Sequence, residues 1–249
     1  MYQMKQHDTT NFICFKWGDK YGPEYVNRLE RSINKYYWGS YKFHCITDNA
    51  EGINSSFVNV IWNDDWAKML DTKIFTAIKL RAMKTFIYDN NVILDLDILI
   101  HNDITEMVEA PPTKKPMFIW THWTPKWHWD KLIEKKTACF INSSFVRWHD
   151  DTGVYLYEDF VTRWPELEAE YNSLDKFLFY EHVREGNGLY FWEDKHFYNY
   201  NEPGPWQYKL NPDAAACLFN TSHLVKLGRR HYELDNTPTE HTDIWESYV

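Results

Sequence analysis

No apolar run in this sequence reaches the roughly 20 residues that a membrane-spanning helix needs. The opening Met1-Tyr2-Gln3-Met4-Lys5 also lacks the apolar centre of a signal peptide. The expectation is a cytoplasmic protein with no transmembrane segment. Cysteine is sparse and scattered: Cys14, Cys45, Cys139 and Cys217 show no paired spacing, which argues against a disulfide framework or a zinc site. Each lies among apolar neighbours and reads as a reduced core residue. Positive charge is in deficit, with a formal net charge of -9. That excludes bulk nucleic-acid binding, because a phosphate backbone wants a basic face. A small anionic ligand is still compatible if a metal ion and a few local cations neutralise it. Internal repeats and low-complexity segments are absent as well.

What the chain does have is aromatic mass. Aromatic residues make up 18% of its 249 residues, including 13 tryptophans, over an ordinary apolar fraction of 44%. That length suits one large domain with a full core.

Along the chain, Asn11–Phe15 is an apolar strand, followed by a loop from Lys16 to Gly22. Pro23 and Glu24 suit the first turn of a helix, whose buried stripe is Val26, Leu29, Ile33 and Tyr36. Tyr41–Thr47 and Phe57–Ile61 read as strands. The pattern then predicts one long helix from Ala67 to Tyr88, with Leu70, Ile74, Ile78, Ala82 and Phe86 on its apolar face, backed by Phe75, Met83 and Ile87. Strand, helix, strand, strand, helix, strand is a doubly wound α/β pattern, so the first hundred residues look like a nucleotide-binding half.

The stretch that organises the rest is Val92-Ile93-Leu94-Asp95-Leu96-Asp97-Ile98-Leu99-Ile100. Read as one strand, it points Asp95 and Asp97 the same way. Two ionised carboxylates at the edge of an apolar core need a counter-ion, and a divalent metal held by oxygen is the natural one. In open α/β sheets ligands bind just beyond the carboxyl ends of the strands, where this pair falls.

Further on, Trp120-Thr121-His122-Trp123-Thr124-Pro125-Lys126-Trp127-His128-Trp129 is either packing beneath a loop or a stacking platform for a flat-faced ligand such as a sugar. Thr137–Ile141 reads as a strand ending in the polar cluster Asn142-Ser143-Ser144. Helices are expected over Val154–Trp164, stopped by Pro165, and over Leu174–Val183. Gly186–Pro212 reads mostly as loop, and Ala214–Asn220 as a last strand ahead of a basic, polar tail, Thr221–Arg230.

With these residues placed, the chain resembles the metal-dependent glycosyltransferases of the GT-A fold, of the glycogenin and lipopolysaccharide galactosyltransferase type with their small bacterial and viral relatives. The resemblance is carried by the opening Phe12–Leu29 and by the unit Phe75–Ile100, with echoes at Phe140–Ser144 and Asp175-Lys176. It implies a single GT-A domain, residues 1–104 binding the nucleotide sugar and 105–249 binding the acceptor and closing the site. It implies an Mn²⁺ or Mg²⁺ cofactor and a nucleotide diphosphate sugar donor, a UDP-sugar favoured. The acceptor would be a glycan, a lipid-linked sugar or a protein.

By the same resemblance Asp19 and Tyr21 hold the nucleotide base, with Tyr21 stacked on it. Lys79 stands near the donor sugar and phosphate. Asp95 contacts ribose and metal, and Asp97 ligates the metal. Asn142 and Asp175 bind donor-sugar hydroxyls and, with Lys176, form the candidate catalytic group. Lys176 replaces the usual glutamine. Where relatives carry His-x-x-Gly-x-x-Lys, this chain has Asn220, His223 and Lys226: the lysine for phosphate is kept, and the third metal ligand is Asn220 or His223. Retention of anomeric configuration is the expected outcome, since no carboxylate is marked as a base for the acceptor.

Two other readings compete. In a haloacid-dehalogenase-like phosphatase, Asp95 would be the nucleophile and Asp97 the acid/base, with His149-Asp150-Asp151 as a partial later motif. In a non-catalytic carbohydrate-binding protein, the tryptophans would do the work and the aspartates would be structural.

Overall fold

The computed structural model describes residues 9–123, 139–184, 188–200, 205–219 and 240–248. β1 (Thr10–Lys16), α1 (Pro23–Tyr36), β2 (Tyr41–Thr47) and β3 (Val58–Ile61) follow in the expected order. Pro23 opens α1 with Glu24 in its first turn, and Val26, Leu29 and Ile33 are buried.

The single helix expected over Ala67–Tyr88 is instead three pieces: α2 (Asp64–Leu70), a 3₁₀ turn over Phe75–Ala77, and α3 (Ile78–Thr85). Asn63 starts α2 earlier than expected, its Oδ1 accepting from the amides of Asp65 and Trp66. After Leu70 the backbone turns away, and the Lys73 N–H that a continuous helix would use donates to Glu168 Oε1 at 2.8 Å. Apolar periodicity continues across the break, which is why the sequence hides it.

β4 (Asn90–Leu94) and β5 (Ile98–Ile100) are separate strands, not one run. They are followed by α4 (Thr105–Val108), β6 (Met117–Trp120) and β7 (Ile141–His149). The strand expected over Thr137–Ile141 thus begins where it should have ended, and Asn142-Ser143-Ser144 lie within it. α5 (Val154–Glu170) runs straight through Pro165. The proline is solvent-exposed, so the carbonyl it leaves unpaired can turn to water. α6 (Leu174–Phe177) continues into a π-helical segment, Leu178–Arg184. The expected loop Gly186–Pro212 contains β8 (Tyr190–Phe191) and β9 (Phe197–Asn199). β10 (Ala216–Leu218) is shorter than expected, and α7 (Glu240–Glu246) ends the described chain.

Two sheets result. The larger has the order β3-β2-β1-β4-β7-β6-β8, and the smaller β5-β10-β9. β1 pairs in parallel with both β2 and β4, while β7 runs antiparallel to β4. Core residues alternate along the central strands. Phe12, Cys14, Val92 and Leu94 face one hydrophobic cluster, and Ile13, Phe15 and Ile93 face another on the opposite side. A sheet covered on both faces explains the nearly continuous apolar runs of β1 and β4. The four cysteines are free thiols, and no helix among the described residues is long and apolar enough to cross a membrane.

Candidate functional site

The chain leaves the larger sheet after Leu94 and joins the smaller one at Ile98, so Asp95-Leu96-Asp97 is the seam between them. It is a turn, and a turn rather than strand alternation brings the two carboxylates to one place. The Asp95 N–H donates to the Ser144 carbonyl at 2.9 Å, and the Phe219 N–H donates to the Asp97 carbonyl at 3.3 Å. Leu96, 2% exposed, anchors the turn in the core. Both aspartates line a cleft of about 320 Å³.

Each already has a partner within the protein. Lys79 Nζ lies 2.6 Å from Asp95 Oδ1 and donates to the carbonyl (2.9 Å) and hydroxyl (3.1 Å) of Ser143. Ser144 Oγ donates to Asp95 Oδ2 at 2.9 Å, and Tyr21 Oη donates to Asp97 Oδ2 at 2.7 Å. Part of the counter-charge expected for this pair comes from within the fold: Lys79 is buried beside Asp95. Asp97 still bears a strain of charge. Burial and then repulsion from Asp95 push its carboxyl above the usual range, against the pull of Tyr21, Lys20 and Lys79.

A second cavity of about 220 Å³ shares Lys79, Asp95 and Asp97 with the first and adds Asn142, Ser143 and Asp175. Asn142 Oδ1 accepts from the Ser144 N–H at 2.8 Å. Asp175 Oδ1 is buried and has no hydrogen-bond partner among the described residues. Burial raises its carboxyl, while Lys79 and a Ser143 hydrogen bond draw it down. The adjacent Ser173 caps α6 through the Lys176 amide and so fixes Asp175 in the first turn.

Not every expected residue is gathered here. Asp19 is exposed on the β1–α1 loop, beside Gly18, whose φ of 58° makes the turn. It lines neither cavity. Lys176 turns outward to Asn172 Oδ1 at 3.0 Å and lines neither cavity as well. Asn220, His223 and Lys226 lie outside the described residues. Conversely, sequence reasoning named Tyr21 but missed the other rings of the aromatic wall of the first cleft. Phe15, Trp17, Tyr21 and Phe75 line it. The rings of Trp17 and Phe75 meet edge-on at 6.2 Å, and Phe75, expected to back the apolar helix face, is 51% exposed. An aromatic beside the glycine-turned loop was the available signal. The Tyr21 ring packs against Tyr25 at 4.9 Å, with Lys20 Nζ 4.5 Å from its centroid.

Asp95 and Asp97 fit a hard divalent cation by chemistry: both offer carboxylate oxygens to one cleft, and positive charge there would relieve Asp97. Among the described residues no group of three or more His, Cys, Asp or Glu gathers to hold an ion, so the third-ligand candidates stay with the segment beyond Phe219. The phosphatase arrangement is not assembled. β7 pairs His149 with Asn90 and Phe145 with Leu94, which sets His149-Asp150-Asp151 at the far end of β4, about 17 Å away by strand rise. The tryptophan cluster divides: Trp120 stacks on Phe140 at 5.8 Å as core packing, Trp123 lines a different cavity, and the rest lies outside the described residues.

No protein-family model matches this sequence, and no curated protein does. Solved structures do match in fold. The galactosyltransferase LgtC, crystallised with donor and acceptor sugar analogues, aligns with a TM-score of 0.60 at 11% identity over 95% of both chains. The bifunctional glycosyltransferase WbbM aligns at 0.65 and 13% identity over 100% of this chain and 50% of its own. The glycosyltransferase GlyE of Streptococcus pneumoniae aligns at 0.64 and 10% identity, covering 97% of this chain and 60% of that one. The fold is the GT-A glycosyltransferase fold, as the sequence implied.

Proposed function

We propose that this chain is a glycosyltransferase that moves a hexose from a nucleotide diphosphate sugar, a UDP-sugar in the favoured case, to the hydroxyl of a glycan, lipid-linked sugar or protein. The observation that carries it is the convergence of Asp95, Asp97, Lys79, Asn142 and Asp175 on two cavities with a common floor, one of them walled by aromatic rings. The likeness to glycosyltransferase folds supports the same reading.

In this reading residues 1–104 hold the donor and the remainder holds the acceptor. The base lies against Trp17, Phe75 and Tyr21. Asp95 and Asp97 hold Mn²⁺ or Mg²⁺, which when bound neutralises the diphosphate as a Lewis acid. Lys79 places a fixed positive charge beside the leaving group, where negative charge develops as the bond from the sugar to phosphate breaks. Asn142 and the free Oδ1 of Asp175 accept hydrogen bonds from sugar hydroxyls. The Asp175 carboxylate also stabilises the oxocarbenium-like sugar electrostatically. No carboxylate of the site is set apart as a base for the acceptor, which favours retention. Lys226 meets the diphosphate and Asn220 or His223 completes the metal set.

A thermal-shift screen of nucleotide diphosphate sugars with and without Mn²⁺ tests this directly, because binding to the folded state appears as added stability. One donor should raise the melting temperature in Mn²⁺ and lose that effect in Asp97→Asn. Lys226→Ala should weaken the donor by about one to two orders of magnitude, the value of a charge-assisted contact. No donor-dependent shift under any condition would overturn the reading.

A further inference from the structure

A third cavity, of about 480 Å³, lies away from the aspartates and shares no lining residue with the two described above. Its volume falls in the range of small-molecule sites. Trp123 and Trp206 contribute to its wall, both partly buried against the core. Between and beside them stand Gln207, Asn211 and His122, so polar groups interrupt an aromatic surface. The charged residues around it are paired with one another. His122 Nδ1 faces Asp194 Oδ1 at 3.7 Å, and Lys195 Nζ bonds Glu193 Oε2 at 2.7 Å.

That combination selects a ligand class. The apolar C–H faces of a pyranose ring pack on indole, while its equatorial hydroxyls need amide and imidazole partners around the edge. Among the described residues, the cations lining this cavity, His122 and Lys195, already face carboxylates, which disfavours a phosphorylated or strongly acidic ligand.

The location is equally informative. In the smaller sheet, β10 lies between β5 and β9, and Leu218 is in register with both Ile98 and Asn199. Asn199, at the wall of this cavity, is therefore two strand spacings, about 10 Å, from the residue that follows Asp97. A short oligosaccharide spans that distance.

We infer that this cavity is a second, neutral-glycan site, which holds a sugar residue of the acceptor some way from the hydroxyl that reacts. The glycan binding stands alone; its link to the acceptor rests on the function proposed above.

The test applies the full-length protein to an array of neutral, sialylated and phosphorylated oligosaccharides and unmodified peptides, then titrates the best neutral trisaccharide by calorimetry. Neutral oligosaccharides should bind, and Trp206→Ala and Trp123→Ala should each weaken binding at least tenfold. Trp206→Phe, which keeps a ring, should recover most of it, separating stacking from misfolding. Asp97→Asn, in the other cleft, should bind the trisaccharide as the parent does. Absence of neutral-glycan binding at millimolar concentration, binding by both alanine variants as tight as the parent's, or retention only of peptides or charged probes would overturn the proposal. UDP release from a UDP-sugar is read separately in the parent. If it is absent while the tryptophan-dependent binding persists, the transferase reading falls and the glycan site stands.

Discussion

Lys79 Nζ sits 2.6 Å from Asp95 Oδ1 on a side chain only 6% exposed, whereas Asp95 keeps 30% of its surface open to the cleft. The ammonium is held from inside the fold and the carboxylate looks out. Asp95 thus reaches the cleft with one oxygen committed to lysine and the other to Ser144.

Removing the lysine exposes what it does. Lys79→Met keeps the volume and deletes the charge. Breaking a fully buried pair costs about 3–5 kcal/mol, and the open face of Asp95 reduces this to about 1–3 kcal/mol. The melting temperature should fall accordingly. Because Mn²⁺ would then take over the lost positive charge, it should raise the melting temperature more in Lys79→Met than in the parent. Equal metal-induced shifts would show that lysine and metal serve different groups.

Phe75 offers a cleaner reading of the aromatic wall than Tyr21, whose hydroxyl is committed to Asp97. Half-exposed Phe75 contributes little to the core, so Phe75→Ala should change stability by about 0.5 kcal/mol or less. If the base stacks there, UDP affinity should fall roughly 5- to 160-fold, the range of about 1–3 kcal/mol for base–aromatic stacking. Calorimetry of UDP with Mn²⁺ measures it. An unchanged dissociation constant would move the base elsewhere along the cleft.

Acid should destabilise the protein through histidine. His241 Nε2 lies 2.8 Å from Tyr198 Oη, and the His101 ring packs edge-on to the same tyrosine at 5.8 Å. Burial lowers both imidazoles to about 4, His101 with a further push from His241. They are neutral when folded and take up protons on unfolding below about pH 6.5. Their stabilising contribution is therefore complete above that value and is lost as pH falls toward 4, by up to about 1.4 kcal/mol per pH unit for each ring. Melting curves from pH 7.5 to 4.5 should show the decline, and His101→Gln should flatten it. An identical slope in the variant would assign the acid limb to other groups.

Pro165 costs α5 a hydrogen bond on its exposed side. Pro165→Ala should restore the bond to the Val161 carbonyl and raise stability by up to about 3 kcal/mol. A lower melting temperature would mean that the ring of Pro165 stabilises the helix in a way the lost hydrogen bond does not offset.

The strand pattern was legible because β1 and β4 carry their burial in their own residues, and Pro23 with Glu24 marks α1 openly. Asp95 and Asp97 were legible as a paired-carboxylate motif, whereas Asp175 was named only through the family resemblance. The break at Asp71–Ile74 was not, because the apolar period passes through it and the reason for it, Glu168, is far away in sequence. Lys79 was placed near the donor phosphate by resemblance, but its burial was not legible, because its partners sit in the turn after β4 and on β7. β8 and β9 were hidden by a composition rich in turn formers and by being only two or three residues long. Trp206 and Trp123, far apart in sequence, share a cavity only in the fold.

That sheet sets an order on assembly. Ile100 pairs with Ala216 and Ile98 with Leu218, so β5 has no strand neighbour in that sheet until the chain has been made almost to its end. The β1–β2–β4 pairing, by contrast, is complete once Leu94 is in place. Long-range pairing carries the greater loop-closure cost and forms more slowly. During synthesis the Asp95 end of the seam can be fixed once β7 supplies Ser144, while Asp97, whose carbonyl accepts from Phe219, acquires its backbone partner later. A chain halted before β10 would keep the side-chain partners of both aspartates, Ser144 and Tyr21, and lack only the amide that holds the Asp97 carbonyl.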